Sequence, residues 1–93
     1  MPLTRGRIGG YDSERMAFGF SMLDGDQTIE CQISDAAMDE LAGTRGTPSI
    51  ARQAQFVALR DVVEKIASDL YDSGPVVKGA TIRIFTKHIP KQG

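Results

Sequence analysis

One cysteine, one histidine and no tryptophan occur in this chain, and no run of apolar residues approaches a membrane span. Each scarcity excludes something. A lone thiol, Cys31, rules out an internal disulfide framework and a cysteine-cluster zinc site. A lone imidazole, His88, rules out a histidine cluster for a metal. Without a stretch of ~20 apolar residues the chain has no spanning helix. The opening MPLTRGRIGG lacks the apolar centre of a secretory signal. These absences lead to the expectation of a cytoplasmic protein with no membrane partner and no cofactor.

The 93 residues suit one small domain, with 1–10 and 90–93 as flexible ends. The net charge is −1, but the charges are segregated: residues 1–10 and 76–93 hold six basic side chains and no acid, while 11–75 hold all 12 acids against five bases. Segregation of this kind marks either a nucleic-acid surface or ends that meet the acidic middle in space. The acidic pI favours the second.

The dominant periodic element is Thr47–Tyr71. Phe56, Leu59, Val63, Ile66 and Leu70 recur at spacings of three and four, which places them on one stripe of an α-helix. The opposite face carries Arg60, Asp61, Glu64, Lys65, Ser68 and Asp69, with Arg60–Glu64 and Asp61–Lys65 spaced as ion pairs. Thr47 is the predicted cap and Pro48 the first helical residue. Asp72-Ser73-Gly74-Pro75 marks the stop.

Ahead of this helix, Arg15–Leu23 alternates, with Met16, Phe18, Phe20 and Met22 on one face. Gln27–Ile33 alternates as well, presenting Ile29, Cys31 and Ile33. Asp24-Gly25-Asp26 between them signals a hairpin. A two-residue Asp24-Gly25 turn pairs Phe20 with Ile29, Phe18 with Cys31 and Met16 with Ile33. A four-residue loop moves each partner by two and keeps the faces together. A three-residue loop without a bulge misaligns them.

Ser34 is placed to cap a short helix, Asp35–Ala42, closed by Gly43. Ile33 and Met38 form its staple, Ala37, Met38 and Leu41 its buried edge, and Asp39 and Glu40 its wet side. Residues 1–14, broken by Gly6, Gly9 and Gly10, offer at most a short strand around Leu3 and Ile8. Val76–Gly79 is ambiguous. Ala80–His88 reads as a third long strand, with Ala80, Ile82 and Ile84 toward the helices and Thr81, Arg83, Phe85 and Lys87 on the reverse. The expected fold is α+β: β-β-α-α-β, a mostly antiparallel three-stranded sheet with a short and a long helix on one face.

Lengths add a further expectation. The long helix covers ~36 Å, an eight-residue strand only ~27 Å. Its first turns, with Ile50, Ala54 and Val57, therefore overhang the sheet, and open sheet edges need cover. Both features point to a homodimer.

The chemistry-bearing residues are sparse. Cys31 lies on the core face between Ile29 and Ile33, as a structural thiol does. His88, near the end of a strand, reads as a surface histidine. Asp24 and Asp26 lack the further oxygens of a calcium loop, and Gly6, Gly9 and Gly10 have no phosphate-loop context. One constellation stands out: Arg83, Phe85 and Lys87 present cation, ring, cation along one strand face, the logic of a single-stranded nucleic-acid platform. Against it, Phe85 could be covered by the amino-terminal segment or a dimer partner, and Glu30 on the neighbouring strand opposes an anion. The expectation is a non-enzymatic, self-associating accessory or binding module, with nucleic-acid binding as the alternative and an enzyme third.

Asp24-Gly25, Ile29-Glu30-Cys31-Gln32-Ile33-Ser34 leading into Ala37-Met38, and Phe56, Arg60, Val63, Ile66-Ala67 and Tyr71 together resemble a small bacterial family known only as a domain of unknown function, DUF1488. The resemblance covers about residues 11–89. It implies a compact α+β domain of bacterial origin and supplies no activity. It also implies an acidic residue in the last strand, where this chain has Lys87 and His88.

Overall fold

The computed structural model describes residues 3–73 and 81–89. Their order is β1 (Thr4–Asp12), β2 (Ala17–Asp24), β3 (Gln27–Ser34), α1 (Asp35–Ala42), a 3-10 turn at Ser49–Ala51, α2 (Arg52–Ser73), β4 (Ile82–Ile84) and a 3-10 turn at Thr86–His88. The sheet runs β1-β2-β3-β4, antiparallel except for the parallel β3/β4 pair. A parallel pair needs a crossover, and α1 with α2 provides it on the sheet's inner face. The α+β class is as expected, with four strands in place of three.

The hairpin keeps the faces the alternation requires but turns one residue later. Asp24 pairs with Gln27, so Gly25-Asp26 forms the turn, and Met22 meets Ile29, Phe20 meets Cys31 and Phe18 meets Ile33. Met16 is not in the strand. It sits in the β1–β2 turn with φ 51° and is exposed, while its carbonyl receives the Asp35 N–H at 3.0 Å.

The additional strand is β1, which replaces the expected flexible start from Thr4 onward. Its alternation is hidden in the sequence because the pairing with β2 shifts register between Arg5 and Ile8 and again before Gly10. At the first irregularity a Cβ on Gly6 would lie 2.4 Å from the Ser21 carbonyl oxygen, an approach only glycine permits. The Ser21 hydroxyl accepts the Arg7 N–H there at 2.9 Å.

The core joins Phe18, Phe20, Met22, Ile29, Cys31, Ile33 and Ile84 of the sheet to Met38, Phe56, Val63 and Ile66 of the helices. Phe56 is its anchor: fully buried, its ring centroid lies 4.9 Å from both Phe18 and Phe20. Leu59 and Leu70 are half-buried at the margin of the stripe.

Helix α1 matches its expected bounds. Ser34 Oγ accepts the Ala37 N–H, and Gly43, with φ 71°, gives its N–H to the carbonyls of Asp39 and Glu40. Asp39, however, does not face water. Its Oδ1 accepts from Thr47 Oγ1 at 2.7 Å, Arg52 Nη1 at 2.8 Å and Gln55 Nε2 at 2.9 Å. Thr47 is thereby spent on Asp39 and caps nothing; Pro48 precedes the 3-10 turn without a side-chain cap, and the α-helix begins at Arg52.

Two further expectations along α2 change. Glu64 is buried rather than solvated, held by Arg60 Nε at 3.1 Å and Arg5 Nη2 at 2.8 Å. The Asp61–Lys65 pair does not form: Asp61 takes Arg5 at 2.7 Å, and Lys65 takes Asp69 at 3.3 Å. Arg60 Nη2 also donates to the Gly6 carbonyl at 3.1 Å. The basic amino-terminal strand thus meets the acidic helix, as the charge segregation allows. Gly74-Pro75, Val76–Gly79, Ala80 and residues 90–93 lie outside the described residues.

Candidate functional site

The strand containing Arg83 ends at Ile84, four residues earlier than the alternation suggests. The cause is local. His88 Nδ1 accepts the Phe85 N–H at 2.9 Å, the Phe85 carbonyl accepts the His88 N–H at 2.9 Å, and the turn drives Ile89 into the core. An Nδ1 that accepts must be unprotonated, so the proton of the neutral ring sits on Nε2. Burial holds the imidazole below its ordinary value of 6.5, with Lys87 adding to the effect. The His88 ring lies 6.0 Å from that of Phe85, so His88 fixes both the backbone and one flank of the aromatic side chain.

This turn takes the predicted trio apart. Arg83 remains on the open face of β4, in register with Gln32 of β3. Phe85 stays beside it and is 44% exposed. Lys87 moves onto the 3-10 turn and does not line the same surface.

Its place is taken by a residue the spacing could not offer. Arg15 stands in the β1–β2 turn, which Asp12 shapes by accepting the N–H groups of Glu14 at 3.0 Å and Arg15 at 3.2 Å. The Met16 carbonyl ties that turn to the first residue of α1. The result is a cleft of about 340 Å³ with Arg15 and Arg83 on its walls, Phe85 at its edge and Gln32 and Ser34 between them. Buried Ala17 and Ile84 complete it. Among the described residues no carboxylate lines this cleft. Glu30 lies instead with Arg5 and Arg7 over β1 and β2.

The other candidates are absorbed by the fold. Cys31 is buried, and desolvation, with the neighbouring Glu30 charge, pushes its thiol up to about 12. A thiolate is therefore not accessible near neutral pH. Asp24 accepts the Tyr71 hydroxyl at 2.6 Å and serves as a brace between β2 and α2. Among the described residues no group of three or more His, Cys, Asp or Glu could hold a metal, and no helix is long and apolar enough to cross a membrane.

A second surface runs from the 3-10 turn at Ser49–Ala51 onto α2. Ile50 is 92% exposed, Val57 53% and Val62 47%, with Ala54 and Ala58 exposed between them. Exposed Asp61 interrupts this stripe before Val62, and farther along the same face come Lys65, Asp69 and Asp72, all exposed. The outward face is thus mainly apolar in its first half and charged in its second.

A family model described as "Protein of unknown function (DUF1488)" matches residues 6–83. The chain belongs to the DUF1488 family. A crystal structure of a DUF1488 protein from Shewanella loihica PV-4 superposes with a TM-score of 0.77 at 18% identity, covering 89% of this chain and 91% of that one. At that identity the likeness speaks for the DUF1488 fold alone. No curated protein matches the chain.

Proposed function

We propose that this chain is a non-catalytic accessory or binding module of the bacterial cytoplasm that works as a homodimer, with the amino half of α2 as its contact. The observation that carries this reading is the exposed stripe Ile50, Ala54, Val57, Ala58 and Val62. A helix apolar on both faces belongs between two layers, and the sheet supplies only one. The two alanines lie mid-stripe, which lets a second helix approach closely. An antiparallel pairing centred on Val57 and Ala58 overlaps the two apolar halves, keeps Asp61 in its pair with Arg5, and leaves Lys65, Asp69 and Asp72 of both copies in water. That pairing buries the same patch on each copy, as a two-fold contact requires.

Light scattering on the purified protein gives twice the chain mass for the wild type. Val57→Asp gives the single-chain mass with an unchanged circular-dichroism spectrum. A wild-type mass that stays at one chain as concentration rises contradicts the reading.

The second reading, single-stranded nucleic acid on the Arg83/Phe85 face, is supported by the exposure of Phe85 beside Arg83 and by the arrival of Arg15. It is weakened by the departure of Lys87, since a strand tracks a row of cations rather than one cleft. Binding that falls steeply with salt and is abolished in Phe85→Ala would favour it.

A further inference from the structure

From the Arg15/Arg83 cleft we infer a binding site for a small phosphate monoester carried on a flat ring, the size and chemistry of a mononucleotide. The inference is independent of self-association, and it names a different ligand class from the polymer reading of the same face.

The charge is the first argument. Arg15 and Arg83 come from opposite ends of the sequence and converge on one concavity that no acid lines among the described residues. Among the described residues Arg83 has no carboxylate within ion-pair distance, and Arg15 has only Asp12, at 3.8 Å and on its own turn. Arg52, in contrast, is already held: its Nη1 donates to the Asp39 carboxylate and to Gln55, and its Nε lies 3.5 Å from Asp35 Oδ1. Guanidinium groups left open on two sides of a cleft form a fork for a tetrahedral dianion.

The walls give the second argument. Ser34 accepts the Ala37 N–H through its lone pair, which leaves its own O–H free to donate toward the cleft. It stands at the amino end of α1, where the aligned peptide dipoles favour negative charge. The acid in that first turn, Asp35, is occupied elsewhere: its Oδ2 accepts from Tyr11 at 2.8 Å and its Oδ1 lies 3.5 Å from Arg52 Nε.

The third argument is shape. Phe85 offers a half-exposed ring at the rim, held from behind by His88, and the Gln32 amide can donate and accept along a heterocycle's edge. About 340 Å³ falls at the small end of the ~300–1000 Å³ range of ligand clefts. That volume accommodates one ring with its phosphate. Three other concavities among the described residues carry acids: Glu30 with Arg5 and Arg7, Asp39 with Glu40, and Asp12 with Glu14.

The test is amide-shift titration of the full chain with adenosine 5′-monophosphate, adenosine, inorganic phosphate and a single-stranded decamer lacking a terminal phosphate. The monophosphate is expected to shift the amides of Gln32, Ser34 and Arg83 saturably, inorganic phosphate to shift them more weakly, and adenosine not at all. Arg83→Ala and Arg15→Ala each weaken the monophosphate by about tenfold or more. Phe85→Leu weakens it by about tenfold while leaving inorganic phosphate unchanged. All three variants alter exposed positions, and each is checked for wild-type melting before titration. Unmoved amides, or undiminished monophosphate binding by folded Arg83→Ala, overturn the inference. So does a decamer that binds while the monophosphate does not, an outcome that leaves the polymer reading standing.

Discussion

The two faces of α2 obey opposite rules. On the inward face, Phe56 is stacked between Phe18 and Phe20, and Arg52 is almost fully buried against two aspartates and a glutamine. On the outward face, Val57, Val62 and two alanines of the same amino half, with Ile50 in the turn that precedes it, stand exposed among the described residues. A single helix thus carries a buried charge on one face and exposed methyl groups on the other. The inward arginine is explained by what it touches. The outward apolar residues are not, and an exposed apolar patch is the kind of surface on which the proposed contact would form. The difference teaches that burial of polar groups here is structural, while the exposed apolar ones are what the proposed self-association rests on.

Three perturbations sharpen that contrast. The largest effect is expected from Phe56→Ala, which empties the point where both β2 aromatics meet the helix. Loss of about 4 kcal/mol is expected in denaturant unfolding, a large share of the stability of a domain this size.

Next comes Asp39→Asn. The Arg52 guanidinium, with Gln55 and Thr47, holds the Asp39 carboxyl well below its ordinary 3.8. A depressed carboxyl contributes stability that is present above the unfolded-state value and is lost as pH falls through the folded one. The wild type should therefore lose melting temperature below about pH 4, and the asparagine variant should lose less over that range. At neutral pH the variant is less stable by about 2 kcal/mol. An identical acid limb in both proteins would remove Asp39 from the account.

The smallest effect belongs to the outward face. Val57→Ser should change the stability of the dilute protein by no more than ~0.5 kcal/mol. It should nevertheless abolish any rise in melting temperature with protein concentration, because that rise reports association alone.

How much of this was legible in sequence depends on the range of the interactions. The β2–β3 hairpin and α1 were readable because their signals are local: alternation, Gly25, the Ser34 cap, Gly43. The long helix was readable from its stripe, but its start was not. Thr47 looks like a cap until Asp39, eight residues upstream, claims its hydroxyl. Asp39 looked solvated because Arg52 reaches it only through the helix packing. The β1 strand was hidden by its own register shifts, and β4 was overextended because an alternating run says nothing about a histidine that folds back on the backbone. At the cleft, Arg83 and Phe85 were visible as neighbours in a strand. Arg15 was not, since only the sheet order and the tie between Met16 and Asp35 bring the first turn toward the last strand.

The contact proposed for α2 is tested most directly by cross-linking. Cys31 is buried with its thiol raised to about 12, so a cysteine introduced at the surface is the reactive one. Ala58→Cys, at the centre of the antiparallel pairing, should oxidise almost completely to a disulfide-linked dimer, while Asp69→Cys, far from the centre on the same face, should remain monomeric on a non-reducing gel. Equal cross-linking of the two variants, or none in Ala58→Cys, would contradict a second copy lying across the amino half of the helix.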